Sequence, residues 1–512
     1  MSISKTDDVF ALVKSLSKAE KRSFRLFAER IQDSDSLAYM QLFDLIDKQK
    51  SLEAETIKRK LKISNSKYSN LKRHLYEQIL ISLRHVNKSK KSNIKIRELL
   101  DFAFVLYGKG LHLQALKILT RAKKLAIKHH ADFSLLSIME FEKMIHSRHI
   151  TRTDREKVFE LMTEALVKVE EIHSRIEFSN LRMELHKFYI ENGHVKNEEE
   201  EVYVKQLFEN YLPKARENKF GMMEVIHLNQ AYVWYSYILN DFKNCFKYSK
   251  KWIEQFESNT ELQSRDTNLF LSGYHYLLTS SYNLKKLNKY KIYLHNLENF
   301  RTKNYSSFNL NTKILSFLYV HLGRMNLHFL EGSFEEGVKS IKKSLKRLEK
   351  YKPLLDEHKV MIFHYKIAWM YIGNGEPDKA TPYLQSIINM SNVSLRKDIQ
   401  AYARILFLIA HYDFGNENLI ASILRSYKRY FHKNEMKNQV QQLLFSLFHD
   451  IINTPILNKK DVFKSYLKEL KKLKNNKFEQ RAFHYLDSIT WLQAKVKNQT
   501  ISEVISSQIN QE

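Results

Sequence analysis

Eleven glycines and five prolines are spread over 512 residues. Average usage would place about 60 of them in a chain of this length. Strand-and-turn folds depend on both residues at their turns, so a chain this poor in them is expected to be all-α. Hydrophobic residues make up 43% of the sequence, enough for a continuous core. No run of about 18 apolar residues occurs, so no membrane-spanning helix is expected. The N-terminal segment MSISKTDDVFALVKSLSKAEKRSF is charged throughout and lacks a secretory apolar region, which places the chain in the cytoplasm. The one cysteine, Cys245, excludes an intramolecular disulfide and reads as a small buried hydrophobe.

The formal net charge is +27. A strongly basic chain points to an acidic partner, whether nucleic acid, anionic lipid or protein. The richness in Lys, Asn and Ile also fits a compositional origin, with dispersed lysines as solvated surface. Distribution decides between these readings. Residues 58–97 hold thirteen Lys/Arg and one acid, Glu77. That local block is what phosphate contacts require.

Residues 1–98 form a distinct basic helical unit. Four helices are predicted, at 17–32, 37–48, 53–62 and 66–86. Phe43, Ile46, Ile57, Leu61, Leu71, Leu75 and Ile79 recur at helical spacing. The short third helix, the turn ISNS (63–66) and the long basic fourth helix have the outline of a helix-turn-helix. Ser64 or Ser66 is the expected N-cap. Lys58, Arg59, Lys67, Lys72 and Arg73 are the candidate nucleic-acid contacts. Lys88–Lys95 (KSKKSNIK) reads as a hinge. Phe24, Leu26, Phe27, Leu42 and Phe43 are candidates for covering the first hairpin of whatever follows.

From residue 99 to 440 a hairpin signature recurs. It is clearest at Met361. Counted from there as 1, Ala368, Tyr371, Gly375, Ala380, Leu384 and Ile387 stand at 8, 11, 15, 20, 24 and 27. Small residues at 8 and 20 let two helices approach, and bulky ones at 11 and 24 fill the space between hairpins. Ala103, Leu106, Gly110, Ala115, Leu119 and Ala122 repeat the frame. So do Met325, Gly332, Phe334, Gly337, Ile341 and Ser344. Weaker copies include Val233, Phe242, Cys245 and Trp252, then Leu278, Tyr290, Leu294 and Leu297, then Leu408, Gly415, Leu424 and Tyr427. The pattern resembles the tetratricopeptide repeat. Its steps from 245 to 420 are 45, 47, 43 and 40 residues against the usual length of about 34, which predicts longer helices. Tyr290 and Ile420 depart from the family pattern, which has small residues there.

The resemblance implies a right-handed α-solenoid of helical hairpins joined to the N-terminal helix-turn-helix-like unit. Between 122 and 225 helices are predicted at 135–148, 153–173, 176–192 and 198–210, without the motif. The acids EEEE (198–201) suit a helix start. Residues 441–496 read as capping helices, and 497–512 as a frayed tail.

No catalytic constellation is present. GxxxxGKS/T, HExxH, CxxC and GxSxG are all missing. His146 and His149 lie three apart on a predicted helix but lack an evident third ligand, and His129–His130 with Asp132 is no stronger. The chain therefore reads as a non-enzyme with no cofactor and no metal.

In a tetratricopeptide-like solenoid the first helix of each hairpin lines a concave groove. The positions implied to face it are Gln230, Trp234, Tyr237, His275, Tyr282, Tyr319, Asn326, Phe329, Tyr365, Trp369, Tyr402 and Tyr412. They form an aromatic line suited to peptide capture or base stacking. Longer helices could instead turn these rings into the space between hairpins. Two functions follow. One is a scaffold holding a protein or peptide partner in the groove. The other is a DNA-binding regulator with a sensing or dimerising repeat domain, a layout that resembles peptide-sensing bacterial regulators. Oligomeric state is not readable from the sequence.

Overall fold

The computed structural model describes residues 7–30, 34–89, 91–149, 155–212, 220–390, 396–433 and 438–509. Among them every regular element is helical and no strand occurs. No helix among the described residues is long and apolar enough to cross a membrane. The chain divides into two compact units, Met1–Ile172 and His173–Glu512.

The first unit holds α1 (Asp8–Ser15), α2 (Lys18–Arg30), α3 (Ser34–Lys48), α4 (Ala54–Leu61), α5 (Asn65–Lys88), α6 (Ser92–Gly108), α7 (His112–Lys128) and α8 (Asp132–His149). It also takes the beginning of α9 (Arg155–Asn192). Helix α1 is an addition to the expected four. Asp7 caps it by accepting from the backbone of Val9 and Phe10 at 3.1 and 3.2 Å. The α4–α5 turn is made by Lys62 in the left-handed region, with Ser64 accepting from the Lys67 amide at 3.3 Å as the N-cap.

Two cores fill this unit. One joins α1 to α5 through Val13, Phe24, Leu42, Phe43, Ile57, Leu75 and Ile79. The other joins α6, α7 and α8 through Ala103, Ala115, Leu119, Ala122 and Ile138. Phe24, Leu42 and Phe43 belong to the first core, and Leu26 is 49% exposed. Phe24, Leu42 and Phe43 therefore hold α1–α5 together. The boundary expected near residue 98 is corrected too. Helices α5 and α6 pack on each other, Arg84 meets Asp101 at 2.9 Å, and Lys88 and Lys95 both meet Glu98. The expected hinge is thus bridged by ion pairs on either side of it; Lys90 lies outside the described residues.

The second unit contains the rest of α9, then α10 (Glu198–Tyr211), α11 (Met222–Ile238), α12 (Phe242–Glu257), α13 (Thr260–Arg265), α14 (Thr267–Asn283), α15 (Leu287–Asn304), α16 (Leu310–Glu331) and α17 (Phe334–Tyr351). It continues with α18 (Glu357–Gly373), α19 (Pro377–Ile388), α20 (Lys397–Asp413), α21 (Glu417–Lys433), α22 (Gln439–Ile452) and α23 (Lys459–Leu473). The last helices are α24 (Gln480–Tyr485), α25 (Ser488–Lys497) and α26 (Ile501–Ile509). The acids 198–201 do open α10, capped by Asn197. Where two helices were expected at 153–173 and 176–192, α9 runs unbroken for 38 residues. No Gly or Pro interrupts 155–192, so nothing local stops the helix.

Helices α11/α12, α14/α15, α16/α17, α18/α19 and α20/α21 form hairpins; α12 packs on α14, and then α14 on α16, α16 on α18 and α18 on α20. Several of the recurring residues lie in the core or at turns. Ala368, Ala380, Leu384 and Ile387 are completely buried. Gly332, Gly375 and Gly415 take positive φ at the hairpin turns. A methyl group at Gly337 would meet the Met370 sulfur, so a larger residue there would displace that flexible side chain where α17 meets α18. The expected frayed tail is a helix through residue 509: α26 buries Ile501 and Val504 and packs against α16.

Candidate partner-binding face

The aromatic positions on the first helices are contiguous. Trp234 and Tyr237 on α11 meet Tyr276 on α14, with ring centroids 5.3 and 6.1 Å apart. His275 on α14 stacks flat on Tyr319 of α16 at 4.4 Å, and the Tyr319 hydroxyl lies 3.3 Å from the Ser272 Oγ. Lys366 on α18 donates to Asn326 Oδ1 at 2.7 Å and sits 5.5 Å over both Tyr282 and Phe329. One face thus runs from α11 to α18.

Its exposure differs from the expectation. Gln230, Trp234, Asn326, Phe329 and Tyr402 are buried, while Tyr237, His275, Tyr282, Tyr319, Tyr365, Trp369 and Tyr412 are half-buried. At one end the cover is the chain's own C-terminal segment. Tyr365 donates its hydroxyl to the Tyr485 carbonyl at 3.0 Å, and Tyr485 stacks on Tyr402 at 5.0 Å. Trp491, fully buried, packs against Tyr412 and donates its indole N–H to Asp413 at 3.1 Å. Ser502 reaches the Gly332 carbonyl at 2.5 Å. A cavity of about 160 Å³ remains between α14, α16 and these last helices, lined by Tyr282, Phe329, Phe483, His484, Asp487 and Ile505 among others. Helices α24–α26 therefore cover the end of the face that holds Tyr282, Phe329, Tyr365 and Tyr412. Sequence reasoning missed this cover because α24 and α26 are short and their apolar residues look like those of any cap.

The end that carries His275 and Tyr319 is different. Burial pushes the His275 imidazole down to about 4, with Lys366, Lys359 and His358 lowering it further. Burial alone pulls Lys366 down to about 8. His227 and His358 are likewise pushed to about 4, first by burial and then by Arg175 and Arg182 for the former and Arg396 for the latter. The buried Arg182 Nε has no hydrogen-bond partner. Neutral imidazole donors, an aromatic stack and cationic heads thus share one environment. Asp356 already pairs with Lys359 there at 2.8 Å.

Sequence reasoning also missed Arg396, whose R-x-D spacing carries no motif. It forks onto Asp398, lies 4.5 Å over the Tyr189 ring and contacts His358 Nε2 at 2.8 Å. It is a tie between α9, α18 and α20, and Tyr485 joins it through Asp398 at 2.5 Å.

Lys67, Lys72 and Arg73 do not share a face of α5. At about 100° per residue, Lys72 stands about 140° and Arg73 about 240° around α5 from Lys67. Lys72 turns inward to an ion pair with Asp7 and lies 5.1 Å over Tyr68. Lys58 pairs with Glu55 and donates to Asn65 at 2.5 Å. Arg59, Lys67 and Arg73 are exposed. Five of the thirteen block cations (Lys58, Lys72, Arg84, Lys88 and Lys95) have carboxylate partners. His149, one of the paired histidines, stacks on His112 at 3.9 Å. Among the described residues no group of three or more His, Cys, Asp or Glu is placed to hold a metal.

Comparison with protein-family models, with curated proteins and with solved structures finds no match to this chain.

Proposed function

We propose that this chain is a non-enzymatic scaffold of tetratricopeptide-like hairpins that holds an acidic segment of a protein partner against the first helices of its second unit. The observation that carries this reading is the half-buried His275–Tyr319 stack, whose neighbours include Lys366 and the Lys359–Asp356 ion pair. Stacked aromatics offer large contact area at small conformational cost, and the lysines select for negative charge. The packing of each first helix on the next supports a solenoid arrangement.

The experiment is site-specific photo-crosslinking in cells, with the reactive group at Tyr319 and, as a control, at Lys342 on the outer helix α17. A partner captured at Tyr319 and not at Lys342 is then purified. Its affinity should fall at least tenfold with His275→Ala or Lys359→Glu and should weaken with salt. A partner captured equally from both positions, or bound unchanged by both variants, overturns the reading.

A further inference from the structure

We propose that the side of the second unit where α15, α16 and α17 meet binds a phosphoryl group, as free phosphate or as the end of a small phosphate monoester. Three packed helices supply its groups. Arg301 stands on α15, and Tyr305 follows directly after that helix. Lys313, His321 and Arg324 stand on α16, and Arg347 and Tyr351 on α17. Tyr305 is the hub: Arg301 lies 5.4 Å and Lys313 5.3 Å from its ring centroid. Burial and then Tyr305 push the Tyr351 hydroxyl up, so the two tyrosines are neighbours. Tyr351 meets Phe317 edge-on at 5.4 Å, and Phe317 packs on His321 at 4.4 Å. Arg324 lies three residues after His321, and Arg347 four before Tyr351, so each shares a helix face with its neighbour.

Charge in this cluster is unbalanced. Against the four cations Arg301, Lys313, Arg324 and Arg347 stands Glu298, which accepts from Arg324 Nε at 2.6 Å. Among the described residues Arg301, Lys313 and Arg347 have no carboxylate partner. The guanidiniums also act on one another. Burial pulls Arg301 down and Arg347 and Arg324 pull it further, with Tyr305 and Tyr351 opposing them. His321 is pushed down to about 3, first by burial and then by Arg324, Arg301 and Arg347. Most telling is Arg301 Nε, which is buried and makes no hydrogen bond. A buried N–H without an acceptor is costly, and an oxygen from outside the chain removes that cost.

The chemistry of the donors selects the ligand. Guanidinium forks match the oxygens of carboxylate and phosphate. A carboxylate neutralises one charge and offers two oxygens in one plane. A phosphoryl group carries nearly two negative charges and three acceptor oxygens in three directions, which suits donors that arrive from three helices. The neutral His321 imidazole and the Tyr305 hydroxyl can donate as well. Arg347 is exposed and Arg301 half-buried, so the cluster is open to solvent along α17, where an ester could leave the site. The cluster is separate from the His275–Tyr319 stack, because His321 lies about 200° around α16 from Tyr319.

The test is calorimetric titration of the full chain at neutral pH with sodium phosphate and, separately, with glycerol 3-phosphate, each against sodium chloride of equal ionic strength. Saturable binding to one site is expected. Similar affinity for both probes would support a phosphorylated molecule as the ligand, and binding of phosphate alone would support the free ion. Arg301→Met should weaken binding at least tenfold. Arg347→Gln alters an exposed side chain, so it should leave the helical spectrum and melting temperature unchanged while weakening binding severalfold. Lys342→Gln removes the same charge from a position about 140° around α17 and should have no effect. Heats no greater than those of chloride, or binding that Arg301→Met and Arg347→Gln leave unchanged, would overturn the proposal. His275→Ala should not alter phosphate binding, and Arg347→Gln should not alter capture of a partner at Tyr319, so the two readings fail separately.

Discussion

Arg396 donates from Nε and Nη2 to the two carboxylate oxygens of Asp398 at 2.9 and 2.8 Å while remaining only 1% exposed. Arg396 itself sits in the left-handed region, φ +47°, at the N-cap of α20. The pair would be costly to bury alone. It is held because Tyr189 covers the guanidinium and Tyr485 donates to the carboxylate.

Removing one partner should therefore hurt more than removing both. Asp398→Ala leaves a buried cation and should cost about 3–5 kcal/mol. Arg396→Leu/Asp398→Leu should cost less than the single change. Burial raises the Asp398 carboxyl, but the Arg396 charge carries it down to about 2. A lowered carboxyl stabilises above its unfolded value and loses that contribution as pH falls through the folded one. Denaturant melts of the three variants at neutral pH give the ordering. A single variant no worse than the double would refute it.

Acid should unfold the second unit early. His194, His227, His275, His321, His358, His364 and His484 are all pushed down to about 3 or 4, chiefly by burial. In the unfolded chain each titrates near about 6.5. Between those values the unfolded state binds the extra proton, so stability rises with pH across that window and falls on acidification. The loss from pH 7 to 5 is expected to be on the order of 1 kcal/mol per histidine, discounted for relaxation. Thermal melts from pH 7 to 4.5 measure it; a flat profile would contradict the burial of these rings.

The all-helical class was legible because Gly and Pro scarcity acts over the whole chain. The hairpin residues were legible because packing demands small side chains at fixed places, and Ala368, Ala380 and Leu384 are buried as that demand requires. Groove exposure was not legible. Whether Phe329 or Tyr365 meets water depends on α24–α26, which approach from more than a hundred residues away in sequence. Charge was misleading for the same kind of reason: the partner of Lys72 is Asp7, 65 positions away.

Lys366 should behave as a cost to stability that serves the face. A lysine lowered to about 8 binds its proton less well when folded than when unfolded. The sign is then fixed: stability rises as pH climbs from about 8 toward the unfolded value of about 10.4. Lys366→Met keeps the stem over Tyr282 and Phe329 and removes the charge. It should stabilise the protein at pH 7 by about 1–2 kcal/mol, less the lost hydrogen bond to Asn326, and flatten the rise above pH 8. Chemical denaturation at pH 7 and pH 9.5 tests both parts. Destabilisation at both values would mean that the Asn326 bond outweighs the burial.

Nucleic-acid binding through α5 is expected to be weak. Specific or tight duplex binding needs several cations on one face, and each phosphate contact adds about one unit to the salt dependence. Lys67, Lys72 and Arg73 point to three sides of the helix, and Lys72 is committed to Asp7. The triple change Lys67→Ala/Lys72→Ala/Arg73→Ala should thus shift the slope of log affinity against log salt by less than about one unit on random duplex. Stability separates the same residues. Lys72→Ala alone, which loses the Asp7 pair and the Tyr68 contact, should cost about 1 kcal/mol, whereas exposed Lys67→Ala should cost little. Tight duplex binding that the triple variant abolishes would show that α5 reads phosphates despite this arrangement. It would also mean that Lys72 leaves Asp7 on binding, an exchange that a Lys72→Ala melt with and without duplex would detect.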